Sequence, residues 1–459
     1  MGLVVLFQAL IVLRAALFAS STSSCREAQN AACVQLCYDD IAARPCDGPM
    51  IARYSGPGDD KWRCYSPSTL DEDQENYVSG DCYCTREDEL VDVEEFCEEN
   101  ITTVFSKNFD GDHCYRIPTI IRLTSGKLLA FAEQRGGDCS DNGENNLVLR
   151  QSSDNGITWG NIITIENGNG SPLSNPNPVE VRFPNGTYAV LFHYDTMNNP
   201  SIDKHGANMQ RWSFDDGTTW SEPEDITSFM PENYEGCMPG PSVGVQQVSQ
   251  PGVNKQHRTT KSDRDTTLDS NVAETIYFSC HESSSAFLYY SSDMGQTWKY
   301  SEPIAGLNEC SIALLPNRSV AMNCRSGDRR QLTFSEEGEL LMGPVQPTGL
   351  VDPGCQGSIV SQPNSPSPGT LFLSNDATTS GRYNMTVKRS DDGGISWNEG
   401  LLVWANRTGY SQLVAWNDDD EEHSAHTGTT TTTTLGLLFE VGLESKYQAI
   451  GFTTIRIED

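Results

Sequence analysis

The sequence is poor in positive charge and in long apolar runs. Lysine and arginine number 31 against 63 acidic residues, which gives a formal net charge of −32. There is no basic stripe or basic helix, so we do not expect a nucleic acid partner. After the first two dozen residues, no stretch approaches the roughly 20 apolar residues that a membrane-spanning helix needs. We therefore expect no stable membrane insertion of the mature chain.

Convincing helical periodicity is also missing. Residues 101–459 consist of short apolar or alternating runs, separated by Asn-Gly, Asp-Gly and Pro turns. Many short strands at even spacing are typical of an all-β sandwich, barrel or propeller. The sequence therefore predicts one all-β domain over residues 100–459.

The cysteines are unevenly distributed along the chain. Eight of the 15 fall between Cys25 and Cys97, which predicts a small disulfide-stapled module over residues 25–99, of unknown role. Eight cysteines allow 105 pairings, so the connectivity cannot be deduced. The spacing of Cys82 and Cys84 does not fit a zinc knuckle, and no histidine lies nearby. The odd total leaves at least one thiol free or bonded to another chain.

The N-terminus is the one long apolar segment. Residues 2–19 are apolar except for Gln8 and Arg14, and small residues follow. This pattern predicts a secretory signal peptide over residues 1–24, with an uncleaved anchor as the alternative. With this peptide, six glycosylation sequons support a glycosylated surface, and we expect a secreted, extracellular or lysosomal-lumen location. The sequon asparagines are Asn100, Asn169, Asn185, Asn317, Asn384 and Asn406.

One phrase, Ser-x-Asp-x-Gly-x-(Thr/Ser)-Trp, occurs four times. The copies occupy residues 152–159, 213–220, 291–298 and 390–397. Ser and Asp side chains hold tight turns, Gly takes a positive φ, and Trp supplies a large apolar group to bury. Each copy is therefore interpreted as a structural hairpin corner. Repetition at intervals of about 60 to 100 residues favours propeller blades over a solenoid.

Several further motifs follow one another outside these repeats. They occupy residues 115–118, 128–135, 139–143, 308–310, 323–325, 355–358, 382–386, 409–411 and 438–440. In this order they resemble the exo-α-sialidase (neuraminidase) family of the cellular and bacterial type. The resemblance runs from about Phe105 to the C-terminus, and residues 25–99 have no counterpart in it. It implies a six-bladed β-propeller that acts on sialylated glycans without a metal or organic cofactor.

Sialic acid carries a carboxylate on its anomeric carbon, and arginine forks bind carboxylates bidentately. The resemblance implies that Arg116, Arg325 and Arg382 form this binding site. The acidic surface does not exclude an anionic substrate, because charges beyond about 8 Å are largely screened at physiological ionic strength. The family also places a late glutamate against the first arginine, and Glu440 matches that position.

The same resemblance implies the catalytic residues. Sialidases use a tyrosine nucleophile, which avoids repulsion between a carboxylate nucleophile and the carboxylate of the substrate. A phenol has a pKa near 10 and needs a base. Tyr410 matches the family's nucleophile and Glu309 its base.

The family's acid/base is an aspartate on the loop that follows the strand ending at Arg135. Asp138 and Asp141 are both candidates here, and counting back from the first repeat favours Asp141. This carboxyl group would protonate the leaving oxygen and then deprotonate water. Arg135 and Glu133 are expected to line the pocket for the ring hydroxyls. Cys114 and Cys139 flank this region and could pin the loop.

The spacing between Glu309 and Arg325 permits a separate inference. This stretch has a hairpin pattern that turns at residues 316–318. Because the turn sets the pairing register, Glu309 should lie opposite Arg325. Cys310 should then face Cys324, and the pair could form a cross-strand disulfide unless a bulge shifts the register.

The function predicted from these residues is a retaining exo-α-sialidase, a glycoside hydrolase that removes terminal sialic acids through a tyrosyl intermediate. A trans-sialidase is one alternative, which would need an acceptor site beside the pocket. A non-catalytic sialic acid-binding lectin is the other. A lectin would be free to lose Tyr410, Glu309 or Asp141, and none of them is missing. Linkage preference and oligomeric state are left open.

Overall fold

The computed structural model describes residues 101–107, 113–137, 139–141, 143–196, 206–231, 237–248, 274–282, 284–366, 369–417 and 432–457, with the backbone of 51–54 and 62–65. The chain divides into two compact units, Met1–Asn100 and Ile101–Asp459. In the first unit, strands β1 (Ile51–Tyr54) and β2 (Trp62–Tyr65) pair antiparallel. The predicted signal peptide and the side chains of the N-terminal cysteines lie outside the described residues.

The described regular structure of the second unit is β, apart from a 3-10 turn at Thr227–Phe229. Its first strand is β3 (Thr102–Ser106). The first sheet contains β4 (Cys114–Arg122), β5 (Leu128–Arg135), β6 (Asn145–Ser152) and β7 (Ile163–Glu166). The second contains β8 (Leu173–Arg182), β9 (Tyr188–Thr196), β10 (Asn208–Ser213) and β11 (Glu224–Asp225). Both sheets are antiparallel meanders.

The remaining sheets follow in chain order. The third contains β12 (Met238–Pro239), β13 (Val245–Gln247), β14 (Thr275–Glu282), β15 (Ser285–Ser291), β16 (Lys299–Tyr300) and β17 (Ile304–Ala305). The fourth contains β18 (Cys310–Leu314), β19 (Val320–Arg325), β20 (Arg329–Phe334) and β21 (Leu340–Val345). The last has seven strands: β22 (Ser358–Ser361), β23 (Leu371–Asp376), β24 (Tyr383–Ser390), β25 (Leu401–Asn417), β26 (Thr433–Gly442), β27 (Ala449–Ile457) and β3.

The seven-stranded sheet is two four-stranded sets that share the long strand β25. Residues 401–407 of β25 pair with β24, whereas residues 407–417 pair with β26. The second set is completed by β27 and by β3, which comes from the start of the unit. Counted in this way, the described strands form six sets, each built on a meander.

The first strands of these sets are neighbours in a closed circle. Strand β4 contacts β8, β8 contacts β13, and β13 contacts β18; β18 then contacts β22, β22 contacts β25, and β25 returns to β4. This arrangement is consistent with six blades. The all-β propeller class predicted from the sequence is confirmed.

The hydrophobic core lies between successive sheets. Leu191 of the second sheet packs in one cluster with Phe278 of the third, and Leu288 of the third packs with Met322 of the fourth. Because the inner strands are covered on both faces, their residues are buried on both sides, as all eight residues of β5 are.

The four repeated phrases form the turns between the third and fourth strands of their sets. In the first copy, Asp154 accepts hydrogen bonds from the backbone N–H and the hydroxyl of Thr158, and Ser152 Oγ accepts the N–H of Gly156 at 2.9 Å. The Ser-to-Gly hydrogen bond recurs in the other three copies. The interpretation of these phrases as structural corners is confirmed.

We expect Gly156→Ala to destabilise the protein more than Gly170→Ala. Both glycines have a positive φ, 89° and 88°, so both variants carry the same backbone strain of about 1 kcal/mol. Only at Gly156 would the new Cβ meet another group, since it would lie 2.1 Å from a ring carbon of Phe452. The clash should add about 1–3 kcal/mol. Urea unfolding of both variants measures the difference, and equal losses would contradict this packing.

Candidate active site

The residues predicted from the sequence as functional meet at one end of the sheets, where first strands begin and second strands end. We call this the site end. Arg116 and Tyr410 lie near the start of first-strand segments, and Glu309 directly precedes β18. Arg325 ends β19 and Glu440 lies near the end of β26. An antiparallel meander places these positions side by side, although they are hundreds of residues apart in the chain. The repeated turns occupy the opposite end.

Two β-bulges orient the neighbouring side chains toward the site end. The pairing of β4 with β5 shifts register between Arg116 and Thr119, and Ile117 has a φ of 55°. The pairing of β25 with β26 shifts between Thr408 and Ser411, which bracket Tyr410. Bulges leave backbone groups unpaired and re-aim side chains, and they are frequent beside active sites.

Glu440 connects these two bulges. Its carboxylate is fully buried and accepts hydrogen bonds from the Arg116 Nε at 2.8 Å, the Ile117 N–H at 3.3 Å and the Tyr410 N–H at 3.1 Å. Burial alone would lower the pKa of Arg116, but the contact with Glu440 outweighs it and raises that pKa. One carboxylate therefore holds the arginine and the backbone of both strands.

Tyr410 is hydrogen-bonded to Glu309. Its hydroxyl donates to Glu309 Oε1, and Arg325 Nη1 lies 2.8 Å from Glu309 Oε2. Burial, followed by the charge of Glu309, raises the pKa of Tyr410 well above its ordinary value. Burial would raise the pKa of Glu309 too, but Arg325 and His281 hold it below its ordinary value. The pair is thus a protonated phenol beside an ionised carboxylate.

The three arginines converge on this tyrosine. The guanidinium carbons of Arg116 and Arg382 lie 5.1 Å and 5.4 Å from the centre of the Tyr410 ring, and Arg325 reaches it through Glu309. Arg382 directly precedes β24. Its pKa is raised, because burial is outweighed by groups that include Cys355 and Tyr410. The geometry concentrates positive charge around one buried hydroxyl.

Asp141 lies between two arginines. Its Oδ1 is 2.6 Å from Arg135 Nη1 and 3.3 Å from Arg116 Nη1, while its side chain is 72% exposed. Burial raises its pKa, but Arg135 and then Arg116 outweigh burial and hold the pKa below its ordinary value. The other candidate aspartate, Asp138, lies outside the described residues.

Arg135 and Glu133 form a buried pair behind Asp141. Arg135 Nη2 lies 2.6 Å from Glu133 Oε2, and Glu133 also accepts the N–H of Asn175 at 2.8 Å. Arg135 Nη1 donates to the backbone oxygen of Cys139, which forms a disulfide with Cys114. The loop that carries Asp141 is therefore fastened to β4 and β5.

The predicted hairpin register is confirmed. Cys310 is opposite Cys324 and is bonded to it, and the Arg325 N–H donates to the Glu309 carbonyl at 3.0 Å. Cys237 and Cys280 form a further disulfide, and Cys355 is a buried free thiol.

Three further residues of this region were assigned no role from the sequence. Tyr447 places its ring over Arg116, Cys355 clusters with Ile117 and Tyr410, and Asp376 is fully buried beside Cys355. Cys355 stands in one of the family-like motifs, but Tyr447 and Asp376 belong to no pattern that distinguishes them from ordinary loop or strand-end residues. Among the described residues, no three His, Cys, Asp or Glu side chains are grouped to hold a metal ion.

Comparison with known proteins identifies the family of the chain. A family model described as a BNR repeat-like domain matches residues 126–420. The chain belongs to the BNR repeat-like family of exo-α-sialidases. These are glycoside hydrolases. The chain is 25% identical to an exo-α-sialidase of Arthroderma benhamiae, over 67% of this chain and 76% of the relative. It is 28% identical to human sialidase-4, over 58% of each.

Solved structures of similar proteins have the same fold as this chain. The Hadza microbial sialidase Hz136 superimposes with a TM-score of 0.56 at 23% identity, covering 75% of this chain and 66% of the other. The chain spans from about half to about three quarters of the length of the curated relatives it matches. No helix among the described residues is long and apolar enough to cross a membrane.

We expect Glu440→Gln to lower the free energy of unfolding by about 3 kcal/mol, because it leaves the buried guanidinium of Arg116 without its buried counter-ion and with only the exposed Asp141 as an ionic partner. It should also weaken the binding of carboxylate ligands, since Arg116 loses its fixed orientation. Urea unfolding and ligand titration measure the two effects. Glu339→Gln, at an exposed position, is the matched control and should change neither quantity. Wild-type stability in Glu440→Gln would contradict the role of this ion pair.

Proposed function

We propose that this protein is a retaining exo-α-sialidase that hydrolyses terminal α-linked sialic acids on glycoproteins, glycolipids and oligosaccharides. One observation carries the proposal: three arginines gather around a buried tyrosine that donates a hydrogen bond to a carboxylate. The arginines suit an anionic sugar, and the tyrosine suits attack beside a carboxylate. The family of the chain supports the same reaction class.

Binding begins with the substrate carboxylate on Arg116, Arg325 and Arg382. Glu440 holds Nε and Nη2 of Arg116, and Asp141 contacts its Nη1, so the ligand would replace Asp141 on Arg116. Glu309 uses one nitrogen of Arg325, and the ligand would bind the others. Each charge-assisted hydrogen bond is worth about 1.5–3 kcal/mol. This places the anomeric carbon near the Tyr410 hydroxyl.

The first chemical step exchanges one carbon–oxygen bond for another. Tyr410 Oη bonds to the anomeric carbon as its proton passes to Glu309, and Asp141 gives a proton to the departing glycosidic oxygen. In the second step, ionised Asp141 takes a proton from water, which attacks the anomeric carbon. The tyrosyl bond breaks, and Glu309 returns the proton to Tyr410. Two displacements give net retention.

Asp141 must carry a proton for the first step, yet in the free protein two arginines favour its ionised form. We propose that the substrate carboxylate displaces Asp141 from Arg116. The new negative charge and the lost contact both raise the pKa of Asp141. Substrate binding would thereby prepare the acid.

We further propose a secreted or lysosomal-lumen location. The signal-like residues 1–24, the six sequons and the disulfides of the propeller support an oxidising compartment. Protease protection of the protein in isolated membrane vesicles would check this location.

We expect Tyr410→Phe to reduce the hydrolysis of a fluorogenic α-sialoside by about 10³-fold or more, because the nucleophilic oxygen is lost. Binding of an unsaturated sialic acid analogue should remain, since the arginines are unchanged. Tyr188→Phe, at a tyrosine that is 41% exposed on the end opposite the site end, is the control with the same chemical change.

The same assay separates the alternatives. Full activity in Tyr410→Phe would refute the assigned nucleophile, and a wild-type protein that binds the analogue without turnover would be a lectin. Transfer of sialic acid to added lactose would identify a trans-sialidase. Proton NMR of the first released sugar should show the α-anomer if configuration is retained.

We expect the binding of the unsaturated analogue to draw a proton from solution at acidic pH. The pKa of Asp141 is lowered in the free protein and should be higher in the complex, so protons are taken up at pH values between the two. Calorimetric titration in buffers of different ionisation enthalpy measures this uptake. It should disappear in Asp141→Asn and persist in Asp391→Asn, an exposed control. Uptake that persists in Asp141→Asn would assign the proton to another group.

A further inference from the structure

The loop between β26 and β27 is held by two side chains, Gln448 and Ser445, and Ser445 Oγ accepts the backbone N–H of Tyr447 at 3.3 Å. Gln448 Oε1 accepts the backbone N–H groups of Leu443 at 2.5 Å, Glu444 at 2.9 Å and Ser445 at 3.4 Å. A side chain that replaces main-chain partners in this way fixes a turn that has no strand neighbours. The loop is therefore an ordered element at the site end, directly after Glu440.

The start of this loop leaves no space for a side chain. A Cβ at Gly442 would lie 1.9 Å from the carbonyl oxygen of Ser445 and 2.4 Å from Gln448 Oε1. The close approach folds the loop back on itself and carries the next residues towards the arginines.

Tyr447 is the residue that the loop places beside the arginines. The guanidinium carbon of Arg116 lies 4.2 Å from the centre of its ring, which is closer than the 5.1 Å to the ring of Tyr410. Tyr447 also lies near enough to Arg382 to contribute, after burial and the larger influences of Cys355, Tyr410 and Glu440, to that arginine's raised pKa. The half-buried Tyr447 ring thus borders the space between two of the three arginines.

Two kinds of contact then fix Arg116. Glu440 holds the Nε and Nη2 edge of its guanidinium, and the Tyr447 ring covers its plane. An edge contact alone leaves the plane free to tilt, whereas a cation–π contact opposes tilting. Bidentate carboxylate binding depends on the orientation of that plane.

We propose that Tyr447 is a positioning residue, which holds the plane of Arg116 for the carboxylate of a sialic acid ligand. This inference rests on the proposed function, because it takes the ligand to be a sugar acid. The aromatic ring is the group that acts, so a phenylalanine should replace it. The side chain of Gln448 acts through Tyr447 by holding the loop.

The test compares ligand affinity in Tyr447→Ala and Tyr447→Phe by calorimetric titration with the unsaturated sialic acid analogue. We expect Tyr447→Ala to weaken binding about 5- to 30-fold, the range of a cation–π contact, and Tyr447→Phe to restore it. The methyl ester of the analogue, which lacks the anionic group, should bind equally to all three proteins. Glu444→Gln, an exposed change in the same loop, is the control and should leave the affinity unchanged.

A double-mutant cycle tests the loop. Gln448→Ala should weaken binding in the wild type but add little in Tyr447→Ala, because both changes remove the same support. Thermal unfolding of each variant confirms that the fold is intact. In kinetics, Tyr447→Ala should raise KM with kcat nearly unchanged, since the carboxylate is held in both the ground state and the transition state.

The results distinguish this inference from the proposed function. Unchanged affinity in Tyr447→Ala, or equal losses in the Ala and Phe variants, overturns the role of the ring even if sialosides are hydrolysed. A ring-dependent affinity without turnover supports the inference and rejects the hydrolase. No binding of the analogue by the wild type would reject both.

Discussion

The buried contact between Glu440 and Arg116 is the constraint on which the rest of the site depends. Three positive groups converge at the site end, and their mutual repulsion must be offset before any ligand arrives. Glu440 does this for Arg116, and it also occupies the N–H groups that two bulges would otherwise leave unpaired. Removing this carboxylate would therefore disturb Arg116, strand β25 and strand β4 together.

The ion pairs of the site fall into two groups. Some are formed before a ligand binds, and others would be replaced when a ligand binds. Glu440 with Arg116, Glu309 with Arg325, and Glu133 with Arg135 are held by strands and largely buried. Asp141 is different, because it is exposed and shares its contacts between two arginines. Under the proposed function, the fixed pairs would set the geometry for the ligand, while the exchangeable one would couple ligand entry to protonation. Stability and reactivity would then depend on different carboxylates.

The parts of the fold and the site whose information is local could be predicted from the sequence alone, whereas the convergence of the arginines on Tyr410 was expected only from the family resemblance. The turn phrases act through hydrogen bonds between residues four apart, and the pairing of Cys310 with Cys324 follows from counting along one hairpin. The contact of Tyr447 with Arg116 could not be predicted, because it joins residues far apart through a loop without a motif. Nor could the sharing of β25, because nothing in its composition marks residue 407 as the point where its partner changes from β24 to β26.

Strand β25 has a consequence for how the ring could open. Most junctions between neighbouring sheets are closed by side-chain packing, but this one is spanned by a single continuous backbone with hydrogen-bonded partners on both sides. Local opening follows the weakest cooperative boundary. Transient local opening of the propeller should therefore occur between other pairs of neighbouring sheets. The segment that contains Tyr410 should be among the last to lose protection of its backbone amides from hydrogen exchange.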